Sequence, residues 1–260
     1  MSSPLVFITG ASSGIGQALA AEYVAQGWRV ALVARRAQAL QDWVRAQGWS
    51  AQQVWVCAAD VRMEAEIQAA AQRCLSELGL PDVVIANAGI SVGVDLREAE
   101  DLIVLRDLYE TNVLGMAATF QPFIGPMVSM RHGTLVGIAS VAAARGLPGH
   151  AGYCGTKAAV VHMCETLRGE LRRCGVKVVT LAPGYVDTPL TSGNDYPMPC
   201  LMSPQAFAFQ AIAAINRGVR FKVIPWPMGV VFAVLRALPR SWFDALVGSQ
   251  KHRKKRRVQS

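Results

Sequence analysis

The sequence has few features of a disulfide-bonded or metal-binding protein. Its 6 cysteines are scattered through 260 residues, with neither a Cys-x-x-Cys pair nor the spacing of a zinc site. Scattered cysteines of this kind are typical of reduced, mostly buried thiols. The sequence therefore predicts no disulfide framework and no metal centre.

A basic leader and long apolar runs are also missing. The first residues pass directly into an apolar strand, with no basic segment before it. We find no uninterrupted apolar run of about 18 residues, the length at which a segment becomes a candidate for crossing a membrane. We therefore expect the protein to be made and kept in the cytoplasm.

Acidic residues are scarce, with 18 Asp and Glu against 26 Lys and Arg, and the formal net charge is +8. Much of the excess lies in one cluster near the end of the chain: Lys251, Arg253, Lys254, Lys255, Arg256 and Arg257. A basic run can bind nucleic acid nonspecifically, but no recognition motif accompanies it. The sequence therefore predicts no specific nucleic-acid partner.

Short apolar runs alternate with longer amphipathic segments along most of the chain. The strand-like runs cover 4–9, 28–34, 53–59, 81–86, 133–140, 176–182 and 220–224. The helical patterns cover 17–26, 38–47, 62–78, 98–130, 149–174 and 203–217. This alternation predicts an α/β fold, with a parallel sheet, helices on both faces and right-handed crossovers. A hydrophobic content of 52% is ample for the core of one domain of this size.

A glycine-rich loop joins the first strand to the first helix. Gly10, Gly14 and Gly16 follow the pattern Gly-x-x-x-Gly-x-Gly. Glycines let the backbone approach a phosphate closely, and the N–H groups at a helix start attract anions. The position of the loop between a strand and a helix therefore predicts a binding site for the diphosphate of a nucleotide cofactor.

Two arginines end the second strand. Enzymes that bind the ribose 2′-hydroxyl of NAD usually carry an acidic residue near this point, whereas arginine suits a 2′-phosphate. Arg35 and Arg36 therefore favour NADP over NAD. The alternative is that both side chains are a solvated pair at the start of the next helix.

Ser140, Tyr153 and Lys157 are the candidate catalytic residues. Ser140 ends an apolar strand, and Tyr153 and Lys157 are four residues apart in a helical segment. This spacing places two side chains on one helix face, with their Cβ atoms roughly 6 Å apart. A nearby ammonium favours the phenolate, so we expect the pKa of Tyr153 to be lowered. The three groups could bind and protonate a carbonyl oxygen. The alternative is that the Tyr–Lys pair is a chance pair of exposed side chains on a helix surface.

Taken together, the motifs resemble those of the short-chain dehydrogenase/reductase family in its compact form. They occur in family order and spacing over residues 4–224: Thr9-Gly10-x-x-x-Gly14-x-Gly16, Asp60, Asn87-Ala88-Gly89, Asn112, Ser140, Tyr153-x-x-x-Lys157 and Pro183-Gly184-x-x-x-Thr188. The resemblance implies a Rossmann-like doubly wound sheet of seven parallel strands in the order 3-2-1-4-5-6-7. It also implies NADP-dependent interconversion of a carbonyl and an alcohol by hydride transfer.

The resemblance assigns a role to each catalytic residue. Tyr153 is the proton donor and acceptor, and Ser140 orients the carbonyl oxygen. Lys157 holds the nicotinamide ribose and lowers the pKa of Tyr153. Asn112 anchors a water molecule that links Lys157 to solvent.

The resemblance likewise implies which residues contact NADP. The glycine loop binds the diphosphate, and the other contacts run along the cofactor from the adenine to the carboxamide. The implied contacts are Gly10, Ser12, Ser13, Gly14, Ile15, Gly16, Arg35, Arg36, Asp60, Val61, Asn87, Ala88, Gly89, Tyr153, Lys157, Pro183, Gly184, Val186 and Thr188.

Three segments are expected to line the substrate pocket: 91–96, 141–149 and 185–202. Most of their residues are apolar or small, which suggests a hydrophobic ketone, aldehyde or alcohol. The alternative function is an NADP-binding scaffold or sensor at a membrane surface. The resemblance implies a homodimer through the Tyr153 helix and the long helix before it, with a tetramer as the alternative assembly.

The end of the chain departs from the family pattern. We interpret 1–224 as the NADP-binding catalytic domain, 225–248 as an apolar helical extension and 249–260 as a basic, disordered tail. In one interpretation the extension covers the substrate cleft or a partner subunit. In the other, the extension docks on a membrane while the tail meets anionic lipid. The docking residues would be Trp226, Phe232, Leu235, Trp242 and Phe243.

Overall fold

A computed structural model describes residues 3–247, and its centre is a parallel sheet of seven strands. The strands are β1 Leu5–Thr9, β2 Arg29–Ala34, β3 Val54–Ala58, β4 Val83–Ala86, β5 Thr134–Ile138, β6 Lys177–Pro183 and β7 Phe221–Ile224. They are hydrogen-bonded in the order β3-β2-β1-β4-β5-β6-β7. The predicted fold class and strand order are confirmed.

Helices connect the strands and extend the chain beyond β7. They are α1 Gly14–Ala25, α2 Ala37–Ala46, α3 Glu64–Glu77, α4 Asp101–Tyr109, α5 Gly115–Met130, α6 Ala151–Leu171, α7 Pro204–Asn216, α8 Trp226–Ala237 and α9 Arg240–Val247. A π-helical turn, Glu110–Leu114, joins α4 to α5, and short 3-10 turns lie at Val141–Ala143 and Arg172–Cys174. The boundaries lie within a few residues of those predicted. The predicted basic tail, 249–260, lies outside the described residues.

Two apolar cores cover opposite faces of the sheet. Side chains of a strand alternate between faces. Leu5 and Phe7 of β1 therefore pack into the core beneath α3, α5 and α6, while Val6 and Ile8 pack into the core beneath α1, α2 and α7. Each core buries one apolar stripe of the helices that pack on its side of the sheet, so helices cover both faces.

The segment Asp101–Met130 has the length of a membrane-spanning helix but packs inside the fold. It forms 30 residues of continuous helix containing an 18-residue window with a mean hydropathy of 1.3, enough by length and composition alone to cross a membrane. Phe120, Phe123 and Met127 are nonetheless buried in the sheet core, and the ring centroids of Phe123 and Phe7 are 4.9 Å apart. The segment is therefore a core helix of this fold, with Asn112 on its π-helical turn.

The parallel arrangement brings the functional segments to one edge of the sheet. The loops that follow β1, β2, β4, β5 and β6 all leave at the carboxyl ends of their strands. In open α/β sheets, ligands bind outside this edge, where the strand order reverses. Here the reversal lies between β1 and β4, next to the glycine loop.

Candidate active site

The glycine loop packs too closely against its neighbours to carry side chains at Gly10, Gly14 and Gly16. Gly10 and Gly14 have φ values of +68° and +57°, in the left-handed region that favours glycine. A Cβ atom on Gly10 would lie 2.6 Å from the Cα of Ala88, and one on Gly14 would lie 2.9 Å from the Cγ2 of Thr188. At Gly16, a Cβ would lie 2.4 Å from the carbonyl oxygen of Gly10. The loop is therefore a closely packed cradle of backbone.

The start of α1 gives this cradle its affinity for anions. Ser13 is the residue before the helix, and within the described chain its side chain makes no capping hydrogen bond. The N–H groups of the first turn therefore have no side-chain cap from Ser13, and the helix dipole favours a negative charge there. Ser12 and Ile15 flank this start and are partly exposed. These features fit the diphosphate of a nicotinamide dinucleotide.

The segment after β4 holds the glycine loop in place. The Nδ2 of Asn87 donates hydrogen bonds to the carbonyl oxygens of Thr9 and Gly10, both at 3.1 Å. Gly89 lies against the catalytic side chains, since a Cβ atom there would be 3.2 Å from the Oδ1 of Asn112 and 3.5 Å from the Nζ of Lys157. The Asn87-Ala88-Gly89 segment thus joins the glycine loop to the candidate catalytic residues.

Arg35 lies beside Asp60 at the edge formed by β2 and β3. Its Nη1 is 3.8 Å from the Oδ2 of Asp60, and the Nη2 of Arg62 is 2.8 Å from the same oxygen. Burial acts to raise the pKa of Asp60, but the hydrogen bonds and charge of Arg62, with a smaller contribution from Arg35, hold it below its ordinary value. Arg36 is exposed before α2, and Val61 is buried against Gly115. The edge carries two arginines around one carboxylate.

Asn112 links the loop after β4 to α6. Its Nδ2 donates to the carbonyl oxygen of Ile90 and to the Oγ1 of Thr156, both at 3.0 Å, while its Oδ1 accepts from the N–H of Ile90 at 2.8 Å. The side chain is only 2% exposed, so these partners explain why an asparagine is tolerated there. The predicted water-anchoring role stays a prediction.

Ser140, Tyr153 and Lys157 meet at the carboxyl end of β5. The hydroxyl groups of Ser140 and Tyr153 are hydrogen-bonded to each other, and the Oγ of Ser140 accepts from the N–H of Ala142 at 3.1 Å. Lys157 donates from Nζ to the carbonyl oxygen of Ile138 at 2.8 Å, and its Nζ is 5.8 Å from the centre of the Tyr153 ring. The structure thus brings the three predicted catalytic side chains together.

The electrostatics of this cluster differ from the sequence expectation. Burial raises the pKa of Tyr153 to about 12, although the hydrogen bond from Ser140 acts to lower it. Burial also lowers the pKa of Lys157 to about 8. The expected lowering of the Tyr153 pKa is therefore wrong for the protein alone, because desolvation disfavours the charged form of each group. Tyr153 is a protonated donor at neutral pH.

The residues predicted after β6 separate into two groups. Thr188 lies against Gly14 of the glycine loop. Gly184 follows Pro183, the last residue of β6, and donates its N–H to the carbonyl oxygen of Ile224 at 2.8 Å. Val186 is buried and pairs with Met202 in an isolated bridge. Thr188 contacts the glycine loop through its side chain, and Gly184 and Val186 belong to the backbone that leads to it.

Sequence reasoning missed two features of the site. Thr156 accepts from Asn112 and donates to the carbonyl oxygen of Tyr153 at 2.9 Å, so it couples these two residues. Tyr196 packs edge-on against two other rings, and its ring centroid is 6.0 Å from that of His150 and 6.2 Å from that of Tyr185. Burial, helped by Tyr185 and Tyr153, raises the pKa of Tyr196 to about 12. Thr156 could have been found from the sequence, because it is a polar residue one helical turn after Tyr153. The aromatic cluster could not, because its members have no shared local pattern.

The comparisons with known proteins agree with this geometry. A model of the family described as short chain dehydrogenase matches residues 4–196. The chain belongs to the short chain dehydrogenase family and is an oxidoreductase of that family. It is 37% identical over 250 residues to an uncharacterized oxidoreductase of Myxococcus xanthus, covering 94% of this chain and 96% of the relative.

Two solved structures extend the comparison. The 3-ketoacyl-(acyl-carrier-protein) reductase of Brucella melitensis, complexed with NADH, is 27% identical and superposes with a TM-score of 0.74, covering 85% of this chain and 94% of that one. A short chain dehydrogenase of Burkholderia cenocepacia, in complex with NADP, has a TM-score of 0.81 over 96% of this chain and 99% of that one. At 23% identity, this second likeness concerns the fold alone.

Proposed function

We propose that the protein is an NADP-dependent carbonyl reductase and alcohol dehydrogenase that transfers hydride between the cofactor and its substrate. The observation that carries this proposal is the hydrogen-bonded pair of Ser140 and Tyr153, with the ammonium of Lys157 behind the tyrosine ring. A serine and a protonated tyrosine at the carboxyl edge of the sheet form a pair of donors for a carbonyl oxygen.

Each residue has a separate task in the reductive direction. The nicotinamide, when bound, supplies the hydride that becomes the new C–H bond of the alcohol. Ser140 donates a hydrogen bond to the carbonyl oxygen as negative charge develops on it, and Tyr153 transfers the proton that completes the hydroxyl group. Lys157, as the ammonium, is the nearby positive charge that stabilises the tyrosinate left behind. Oxidation of the alcohol reverses these steps.

A hydrophobic substrate is supported by the side chains around Tyr153. His150, Tyr185 and Tyr196 come from different loops and pack their rings together beside the catalytic tyrosine. The faces of these rings can bury apolar groups of a ligand, while their imidazole and hydroxyl groups supply a few polar contacts that orient it. We therefore include the hydrophobic nature of the ketone, aldehyde or alcohol in the proposal.

A panel of hydrophobic ketones, aldehydes and alcohols, followed through the absorbance of NADPH, tests the reaction. We expect turnover with at least one hydrophobic carbonyl compound, and little with small hydrophilic analogues. The alternative, an NADP-binding scaffold or sensor, requires NADPH binding with no turnover across the panel. That result would overturn the proposal.

NADP rather than NAD is supported by the residue that follows β2. Arg35 stands at that position, and the nearby carboxylate of Asp60 is already paired with Arg62. An arginine there can make charge-assisted hydrogen bonds to a 2′-phosphate. The NADH complex of the Brucella reductase supports a nicotinamide dinucleotide in general, so the choice between NADP and NAD rests on Arg35.

The substitution Arg35→Ala should raise the Kd for NADPH by about 10- to 100-fold and change the Kd for NADH little. A hydrogen bond to a charged group contributes about 1.5–3 kcal/mol, and each 1.4 kcal/mol is about tenfold in affinity. Fluorescence titration with both cofactors measures this. Arg45→Ala, which removes an exposed arginine of α2, is the matched control and should leave both Kd values unchanged. An equal loss for NADPH and NADH would contradict the 2′-phosphate role.

We further propose a homodimer in the cytoplasm. Leu102, Ile103 and Leu114 are exposed apolar side chains on α4 and its π-helical continuation, part of the long helix that the family resemblance assigns to the dimer. Pairing two copies through this layer would remove these side chains from water.

A further inference from the structure

We propose that α8 and α9 form a docking surface for an anionic lipid bilayer. The surface, called the C-terminal face below, consists of exposed apolar side chains on the two helices: Trp226, Val230, Val231, Val234, Trp242 and Leu246. Trp226 and Trp242 are 72% and 69% exposed. The proposal concerns binding and does not depend on turnover.

The helices that carry this face are fixed to the catalytic domain. Met228, Phe232 and Phe243 point inward and are buried. Arg145, which follows the 3-10 turn after Ser140, donates from Nε to the carbonyl oxygen of Leu235 at 2.8 Å. It also donates to the carbonyl oxygen of Leu238, and its guanidinium lies 5.3 Å from the centre of the Phe243 ring. The C-terminal face is therefore the outer side of a packed element.

The outer side of α8 is almost wholly apolar. Trp226, Val230 and Val234 recur every four residues, which places them on one side of the helix. Arg236 is the only charged residue between positions 226 and 237. A helix of 12 residues is about 18 Å long, far short of a hydrocarbon core of about 30 Å. Such a helix lies in the plane of the membrane interface, where tryptophan is favoured.

The basic residues in and after α8 and α9 favour an anionic lipid surface over a second copy of the chain as the partner of this face. Arg236 and Arg240 are exposed where α8 ends and α9 begins. The sequence then continues, beyond the described residues, into Lys251-His-Arg-Lys-Lys-Arg-Arg257. Two copies paired through this face would bring like charges together, which costs binding energy, whereas basic residues beside an apolar helix complement anionic headgroups. On α9, Asp244 is the acidic residue that lies among these groups.

Flotation of the full-length protein with vesicles tests the proposal. We expect binding to vesicles of phosphatidylcholine with phosphatidylglycerol, and at least about tenfold weaker binding to phosphatidylcholine alone or in high salt. The double substitution Trp226→Ser and Trp242→Ser should lower binding to the anionic vesicles by about tenfold or more. Phe209→Ser, which changes an exposed aromatic residue of α7, is the matched control and should bind as the unchanged protein does.

The outcomes separate the lipid surface from other occupants. Circular dichroism first establishes that the double variant is folded; both tryptophans are largely exposed, so we expect no change. Equal recovery of the unchanged protein from the vesicle-free fraction with both lipid compositions would overturn the proposal. Undiminished binding by the folded double variant would overturn it as well. A smaller oligomer of the double variant in analytical ultracentrifugation, without vesicle binding by the unchanged protein, would assign the face to a second copy.

Discussion

Replacing Tyr153 with phenylalanine should leave the Kd for NADPH unchanged and lower kcat by about 1,000-fold or more. General acid–base catalysis by a positioned side chain contributes about 10²–10⁴-fold, and Tyr153 is the one group proposed to deliver the proton. Because the ring of phenylalanine keeps the packing and the position of Lys157, the fall in kcat measures the contribution of the Tyr153 hydroxyl group. Steady-state kinetics with any substrate found in the panel, together with a cofactor titration, measures both quantities.

The matched control for this substitution is Tyr185→Phe. Tyr185 belongs to the aromatic cluster with Tyr196, whereas the hydroxyl that is hydrogen-bonded to Ser140 is that of Tyr153. We expect its variant to keep kcat within a few-fold of the unchanged protein. Near-normal turnover by the Tyr153 variant would exclude Tyr153 as the proton donor.

The second large effect is expected at Ser140. Loss of one preset donor to a developing oxyanion typically costs about 10²–10³ in kcat. Ser140→Ala also removes a cap, because Oγ accepts from the N–H of Ala142, and a lost cap costs about 0.5–2 kcal/mol of stability. We therefore expect a fall in kcat of this size together with a small fall in the free energy of unfolding, measured by urea denaturation.

Ser203→Ala separates the two effects. Ser203 caps α7 in the same manner, with its Oγ accepting from the N–H of Ala206 at 3.2 Å. This variant should lose a similar amount of stability and keep its kcat. If both serine variants lost activity equally, stability rather than hydrogen bonding to the substrate would explain the Ser140 result.

The sequence was sufficient for those parts of the site that depend on local structure. The glycine loop and the Tyr153–Lys157 pair each lie within one strand–loop–helix unit or one helix, where spacing determines direction. The alternation of strands and helices predicted a parallel sheet, and the strand order followed from the family resemblance. The π-helical turn at Glu110–Leu114 was read as ordinary helix, because its pattern of apolar residues is continuous with that of its neighbours.

The features that the sequence did not predict depend on tertiary packing. The pKa of Tyr153 is raised to about 12 because its surroundings exclude water, and spacing along a helix carries no information on burial. The cluster of His150, Tyr185 and Tyr196 joins loops that are distant in sequence. The chain after β7 forms α8 and α9, and its attachment through Arg145 depends on the position of the loop after Ser140, which the sequence pattern does not show.

The attachment by Arg145 has a consequence for how this protein can change over evolution. Arg145 binds the main-chain carbonyl oxygens of Leu235 and Leu238, and these oxygens are present whatever side chains the residues carry. Substitutions on the outer side of α8 therefore leave that anchor unaltered. The outer side chains of the last helices and the residues around Ser140 can therefore diverge independently during evolution.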